Sequence, residues 1–228
     1  MVRILLFKLD TTGSGFFDPC LLCLESEVKK EKEKEMKRLI YVTHANMDDK
    51  EDEVGPGGLD FALAVGFFYR RQIKRFTIAL VFHGPHVCTA QTAASFITGH
   101  GHVGRIAPIV TQIGSKKLLS EIYSPSTFRA VAVSAGNIQA MHACHEVAKV
   151  AEWTEIARGG VSQMFAQLKE GELGVAFGHG PVIDLAIASV LGTDDLPEQN
   201  VYLGAMEGFE LVQNHLGRVK MLGKVFAL

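Results

Sequence analysis

Two histidines far apart in the chain each close a short apolar run. His44 follows Leu39-Ile40-Tyr41-Val42-Thr43, and His179 follows Val175-Ala176-Phe177-Gly178. Runs of this length, rich in β-branched and aromatic side chains, read as strands buried on both faces of a parallel sheet. Pro181 is suited to the first position of a helix that begins just after His179. Open α/β sheets bind ligands outside the carboxyl ends of their strands, so both imidazoles stand where such a fold builds a site. Imidazole titrates near neutrality, so histidines at such a site can gain or lose a proton there. A third block, Gly84-Pro85-His86-Val87-Cys88-Thr89-Ala90-Gln91-Thr92-Ala93, follows another strand and adds a thiol and a histidine, with His83 just ahead of it.

In order and spacing these three blocks resemble the signature of the histidine phosphatase superfamily, the phosphoglycerate mutase-like proteins. That signature is an Arg-His-Gly block, an arginine a few residues ahead of Gln-Thr-Ala, and a strand ending in His-Gly. Gly58, Ala62 and Gly66 match the family's spacing on the helix after the first block, with Phe61 in place of its glutamine. The resemblance runs from Met36 to about Leu222. It implies a phosphoryl group carried on His44 as phosphohistidine, His179 as its partner, and substrate contacts from Thr43, Asn46, Cys88 and Gly180. The implied ligand is a phosphorylated small molecule or another small ligand.

The chain departs from the signature at both arginines, whose positions hold Thr43 and Cys88. Phosphoryl transfer depends on positioning and on compensating the charge of three equatorial oxygens. The guanidinium fork supplies that permanently and bidentately, whereas a hydroxyl and a thiol are neutral donors. Losing one preorganised donor costs about a hundredfold or more in rate. Two activities therefore remain open, weak phosphomonoester hydrolysis through His44 and an inactive pseudophosphatase that binds or regulates. Backbone amides at the helix after His179 can still favour an anion.

Arg70, Arg71, Arg105, Arg129 and Arg158 are candidate replacement cations. Arg129 lies in Ser124-Pro125-Ser126-Thr127-Phe128-Arg129-Ala130, close to the family's second block but one residue too long and without a Gln-Thr-Ala tail, so it reads as a surface arginine. Glu121 falls in the interval where the family keeps its general acid, but it reads as a solvated helix residue. Cys88 does not open a Cys-x5-Arg phosphate loop, because the residue six places on is Ala94.

To position these groups the chain must alternate strands and helices. Strands are expected at Leu39 to Thr43, Phe76 to Phe82, Ile106 to Val110 and Leu173 to Phe177. Helices are expected at Gly58 to Lys74, Cys88 to Phe96, Asn137 to Lys169 as one helix or as two divided at Gly159-Gly160, and Pro181 to Leu191. Gly208 to Gln213 and Arg218 to Leu222, around Asn214-His215-Leu216-Gly217, suggest a hairpin. The pattern predicts a three-layer αβα sandwich, its mostly parallel sheet edged by an antiparallel hairpin near the C-terminus.

Residues 1–35 read differently, as a glycine-rich, cysteine-containing stretch followed by the lysine-glutamate run Glu25 to Glu35. Such a run buries little, so the domain is expected over residues 36–228, with residues 1–35 a flexible or extraneous extension. The chain is 47% apolar with a formal net charge of −2 and no basic block, so nucleic acid is not an expected partner. The apolar stretch Ile4 to Phe7 falls far short of the ~20 residues a spanning helix needs, so no membrane association is expected. Four unevenly spaced cysteines fit a reducing cytoplasm. Oligomeric state is not legible.

No cofactor and no metal is expected. His142 and His145 would share a helix face while Cys144 points elsewhere, which argues against zinc there. A cleft gathering His44, His83, His86 and His179 would suit an adventitious divalent ion better.

Overall fold

Side chains of the strand Lys37–Thr43 (β1) divide between two cores: Leu39 and Tyr41 enter one, Ile40 and Val42 the other. The period of two along a strand sends neighbours to opposite faces, so an unbroken apolar run requires cover on both. The computed structural model describes residues 36–46, 53–72, 78–101, 103–108, 114–192 and 203–225; the expected extension of residues 1–35 lies outside them.

After β1 come α1 (Pro56–Gln72), β2 (Ile78–His83), α2 (Val87–His100), β3 (Val103–Pro108), α3 (Lys116–Tyr123), α4 (Phe128–Ala135), α5 (Asn137–Cys144) and α6 (Val147–Gln167). Then follow β4 (Leu173–Gly178), α7 (Gly180–Leu191), β5 (Gly208–Gln213) and β6 (Val219–Val225). The sheet order is β3-β2-β4-β1-β5-β6. The first four strands in that order are parallel, and β5 and β6 form the antiparallel edge. One face packs on α1 and α2 through Ala62, Val65, Ala93 and Phe96; the other carries α3 to α7 through Ile122, Phe128, Trp153, Phe165 and Ile183. The sandwich and its hairpin edge are as the pattern predicted.

The register places the two histidines together. Thr43 pairs with Gly178 across adjacent parallel strands, and the His44 amide donates to the Gly178 carbonyl at 2.9 Å. His44 and His179 therefore leave the sheet side by side, at one carboxyl edge. β2 ends beside them, with His83 opposite Phe177.

Helices α1 and α2 approach so closely that their glycines meet backbone. A Cβ added at Gly66 would fall on the Phe96 carbonyl, and one at Gly99 on the Leu63 carbonyl. This contact sets the height of α2, which carries Cys88 and Thr92 to the site.

The helical region differs from expectation at one point. Gly159 and Gly160 lie inside α6 and do not break it. Burial of Trp153, Ala157, Val161, Met164 and Phe165 along one face outweighs the ~1 kcal/mol per glycine lost in helix propensity. The break comes instead at His145 and Glu146, both extended. There the His145 ring packs edge-on against Trp153, and its Nε2 bonds the Ile122 carbonyl at 2.9 Å. Strand β3 begins at Val103 rather than Ile106, α3 contains Glu121, read as a helix residue though no helix bounds were predicted there, and α4 occupies a stretch with no predicted element. The expected start of the second strand at Phe76 and end of the third at Val110 lie outside the described residues. No helix of the described residues is long and apolar enough to cross a membrane.

Candidate functional site

At the carboxyl edge of β1, the turn after Thr43 is held from both sides. The Thr43 hydroxyl donates to the Gly204 carbonyl at 2.5 Å, and its amide to the Glu207 carbonyl at 2.8 Å. The Ala45 amide donates to Thr92 Oγ1 at 3.0 Å, and that hydroxyl donates in turn to the Cys88 carbonyl at 2.7 Å. Gln91 Oε1 accepts from the Val54 amide at 2.8 Å. The Gln91-Thr92-Ala93 motif thus ties α2 to the loop that carries His44.

His44 Nδ1 lies 2.7 Å from the Ala45 carbonyl oxygen. A carbonyl only accepts, so Nδ1 carries the proton and the neutral ring keeps its lone pair on Nε2. The His44 and His179 rings lie 4.8 Å apart between centroids, and the His86 ring lies 4.7 Å from His179. Cys88 Sγ sits 3.7 Å from His179 Nε2. His179 Nδ1 is buried without a hydrogen-bond partner among the described residues. The donor atoms of His44, Cys88 and His179 all lie within 4.8 Å of one another, the arrangement among the described residues that could hold a metal.

Burial governs the charge of this cluster. It drives the His179 imidazole down to about 3, with His44 and His86 adding to the effect. His44 is likewise lowered by burial, against the pull of the Ala45 carbonyl. Both rings are neutral at pH 7, so His44 is available as a nucleophile, while neither ring supplies a cation.

A pocket of about 290 Å³ opens over His44, walled by Thr43, Asn46, Tyr123, Gly180 and Gly204 among others. Four of the six residues expected from the sequence, Thr43, His44, Asn46 and Gly180, line it. His179 and Cys88 stand behind His44, only 8% and 1% exposed. The Thr43 hydroxyl is committed to Gly204, which leaves the Gly180 amide as a candidate anion donor. In α7 Pro181 has no N–H, and the Val182 and Ile183 amides donate to the His179 carbonyl.

The candidate arginines are distributed elsewhere, with one exception. Arg71 lies over the Phe67 ring, Arg105 bonds the Gln167 carbonyl at 3.3 Å, Arg158 pairs with Glu155 at 2.9 Å, and Arg70 lies by Gly101, at the far end of α2. Arg129 is exposed, as expected, but stacks on the Tyr123 ring at 5.7 Å, and Tyr123 walls the pocket. Glu121 faces solvent and pairs with Lys149 at 3.3 Å, consistent with a solvated helix residue. His83 Nδ1 lies 2.9 Å from the Gly84 carbonyl. His142 is exposed, Cys144 lies 3.6 Å from the Thr127 hydroxyl and His145 bonds the Ile122 carbonyl, so the three candidates around Cys144 do not converge on one site. Cys20 and Cys23 fall outside the described residues.

Sequence reasoning missed a buried polar pair beneath the pocket. Asn137 Nδ2 donates to Asp184 Oδ2 at 2.6 Å, and a Cβ added at Gly180 would stand 3.3 Å from the same nitrogen. The signal was present: Asp184 is the lone charge in the apolar helix Gly180–Leu191. Burial pushes the Asp184 carboxyl up to about 7, against the pull of the Asn137 amide. A carboxyl raised in the folded state contributes stability fully below its unfolded pKa, near 3.8, and loses it as pH rises through about 7. Asp184→Asn, neutral throughout, is therefore expected to gain stability relative to the natural protein between pH 4 and pH 8. Urea unfolding midpoints across that range measure it; a constant difference would show that Asp184 does not titrate there.

No family model matches the chain, and no curated protein matches it in sequence. Solved structures do match in fold. A phosphoglycerate mutase from Bacillus anthracis str. Sterne superposes with a TM-score of 0.56 at 8% identity, covering 84% of this chain and 93% of its own. A phosphoserine phosphatase from Entamoeba histolytica, solved with 3-phosphoglyceric acid, gives 0.50 at 18% identity, covering 83% and 97%. A structure described as mycobacterial hydrolase 1 gives 0.50 at 16%, covering 85% and 99%. This chain, with two imidazoles brought together at the carboxyl edge of its sheet, therefore has the fold of these phosphoglycerate mutase and phosphatase structures.

Proposed function

We propose that the cleft binds a small phosphorylated ligand and hydrolyses it slowly, through a phosphohistidine on His44 Nε2. The observation that carries this reading is the Ala45 carbonyl, which holds the Nδ1 proton and leaves the Nε2 lone pair of a neutral ring. The His44 nitrogen attacks phosphorus, the ester P–O bond breaks and the departing oxygen takes a proton from water; a second water then cleaves the P–N bond, its oxygen going to phosphate, and the neutral imidazole is returned. The phosphoserine phosphatase of the same fold, solved with 3-phosphoglyceric acid, supports a ligand of this class.

Catalysis is slow because charge compensation is thin. Thr43 and Cys88 bring no positive charge, and the Thr43 hydroxyl proton already serves Gly204. An entering phosphate dianion raises the pKa of nearby imidazoles, so binding takes up a proton and strengthens as pH falls below neutrality. We assign this activity to residues 36–228 as one domain, in the cytoplasm.

Incubating the protein with a panel of phosphomonoesters tests the reading. Release of phosphate is expected to be slow and to fall to background in His44→Ala. Turnover unchanged in that variant would refute the role of His44. The same neutral pocket favours a second reading, a pseudophosphatase that binds without turnover; ligand binding with no phosphate release from the natural protein would establish it.

A further inference from the structure

We propose that His44, Cys88 and His179 form a zinc site in which Cys88 stands as thiolate where a phosphatase of this fold would hold a cation. The inference shares the His44 lone pair with the phosphoryl reading but does not rest on it.

Three observations support it. The donor set is two imidazoles and a thiol, the borderline-soft combination that zinc takes. The geometry is nearly closed: tetrahedral zinc with bonds of about 2.0 to 2.3 Å separates its donors by roughly 3.3 to 3.6 Å, and Cys88 Sγ already lies 3.7 Å from His179 Nε2. The third donor lies within 4.8 Å of both, so side-chain movement of about an ångström completes the triangle. Finally, the Ala45 carbonyl fixes His44 as a metal-binding histidine is usually fixed, with its other ring nitrogen donating to backbone.

Binding breaks the Cys88 S–H bond heterolytically. The electron pair passes to the Zn–S bond, the proton leaves to solvent, and nothing is oxidised. Three protein ligands leave a fourth position, beside the pocket over His44, for water or an anion. Because zinc and phosphorus compete for His44 Nε2, zinc occupancy blocks phosphohistidine formation.

The test uses the full chain, stripped with a chelator and titrated with Zn²⁺ alone and Co²⁺ alone. The expected result is one equivalent bound, one proton released per metal at the site, and a thiolate-to-cobalt charge-transfer band in the near ultraviolet. Cys88→Ser should abolish the band and weaken zinc at least about a hundredfold, beyond the loss typical of an outer-shell partner. His179→Gln should weaken zinc similarly, and circular dichroism of both variants checks folding. No zinc uptake by the natural protein, or a charge-transfer band persisting in Cys88→Ser, would overturn the site. Phosphoryl transfer to His44 is assayed separately in chelator, so failure of one reading leaves the other standing.

Discussion

Arginine introduced at Thr43 and Cys88 together is expected to raise phosphomonoester turnover by about a hundredfold or more, since one preorganised donor alone is commonly worth that much. Thr43 walls the pocket directly, and Cys88 lies at the start of α2 against His179 Nε2. Guanidinium groups at these two positions would bring two permanent positive charges beside His44. They remain charged at any working pH and bind phosphate oxygens in pairs, which the buried, neutral imidazoles do not. Initial-rate measurements on the double variant, with His44→Ala added as control, read the effect. A folded double variant no faster than the natural protein would show that these positions do not face the transferring phosphoryl group.

Gly99→Ala carries the largest expected stability loss in the helical layer. The added Cβ falls on the Leu63 carbonyl, a backbone atom that no rotamer change can move aside. Overpacking of this kind costs typically 1 to 3 kcal/mol, and backbone on backbone places this site near ~3 kcal/mol. The consequence reaches the site as well. Pushing α2 away from α1 strains the bond from the Ala45 amide to Thr92, which steadies the loop bearing His44. Urea unfolding is expected to show a lowered midpoint, with a parallel drop in any His44-dependent activity. A loss below about 1 kcal/mol, less than overpacking usually costs, would mean that the helices separate easily.

The parts of the fold that were legible in the sequence are those dictated by burial. β1 and β4 are continuous apolar runs because both faces of the central sheet are covered, and the histidines that close them are adjacent because the strands are. β3 was misplaced at its start, since an edge strand tolerates Gly104 and the exposed Arg105 and so loses the apolar signature. The break in the long helical segment was assigned to two glycines by intrinsic propensity. Packing around Trp153 overrode that preference and placed the break where His145 finds a partner.

Within the site, residue type marked some positions and not others. His44 and His179 were visible from their strand ends, and Cys88 from its distance to Gln91-Thr92-Ala93. The carbonyls of Ala45 and Gly204 were not, because any residue supplies a carbonyl and only the fold aims it. Tyr123 and Leu203 enter the pocket wall from separate parts of the chain, with no local pattern to mark them. Asp184 was marked by its apolar surroundings, yet its partner Asn137 lies 47 residues away.

The position of the phosphoryl group after reaction tests most directly whether this pair of imidazoles works as a phosphotransfer site. The chelator-treated protein is mixed with a reactive phosphate donor, quenched in base, and its phosphohistidine located by peptide mass spectrometry and phosphorus NMR. Phosphorus on Nε2 of His44, absent in His44→Ala, is the predicted result. Phosphorus on Nδ1 of His44, on His179 instead, or on no histidine at all would contradict it.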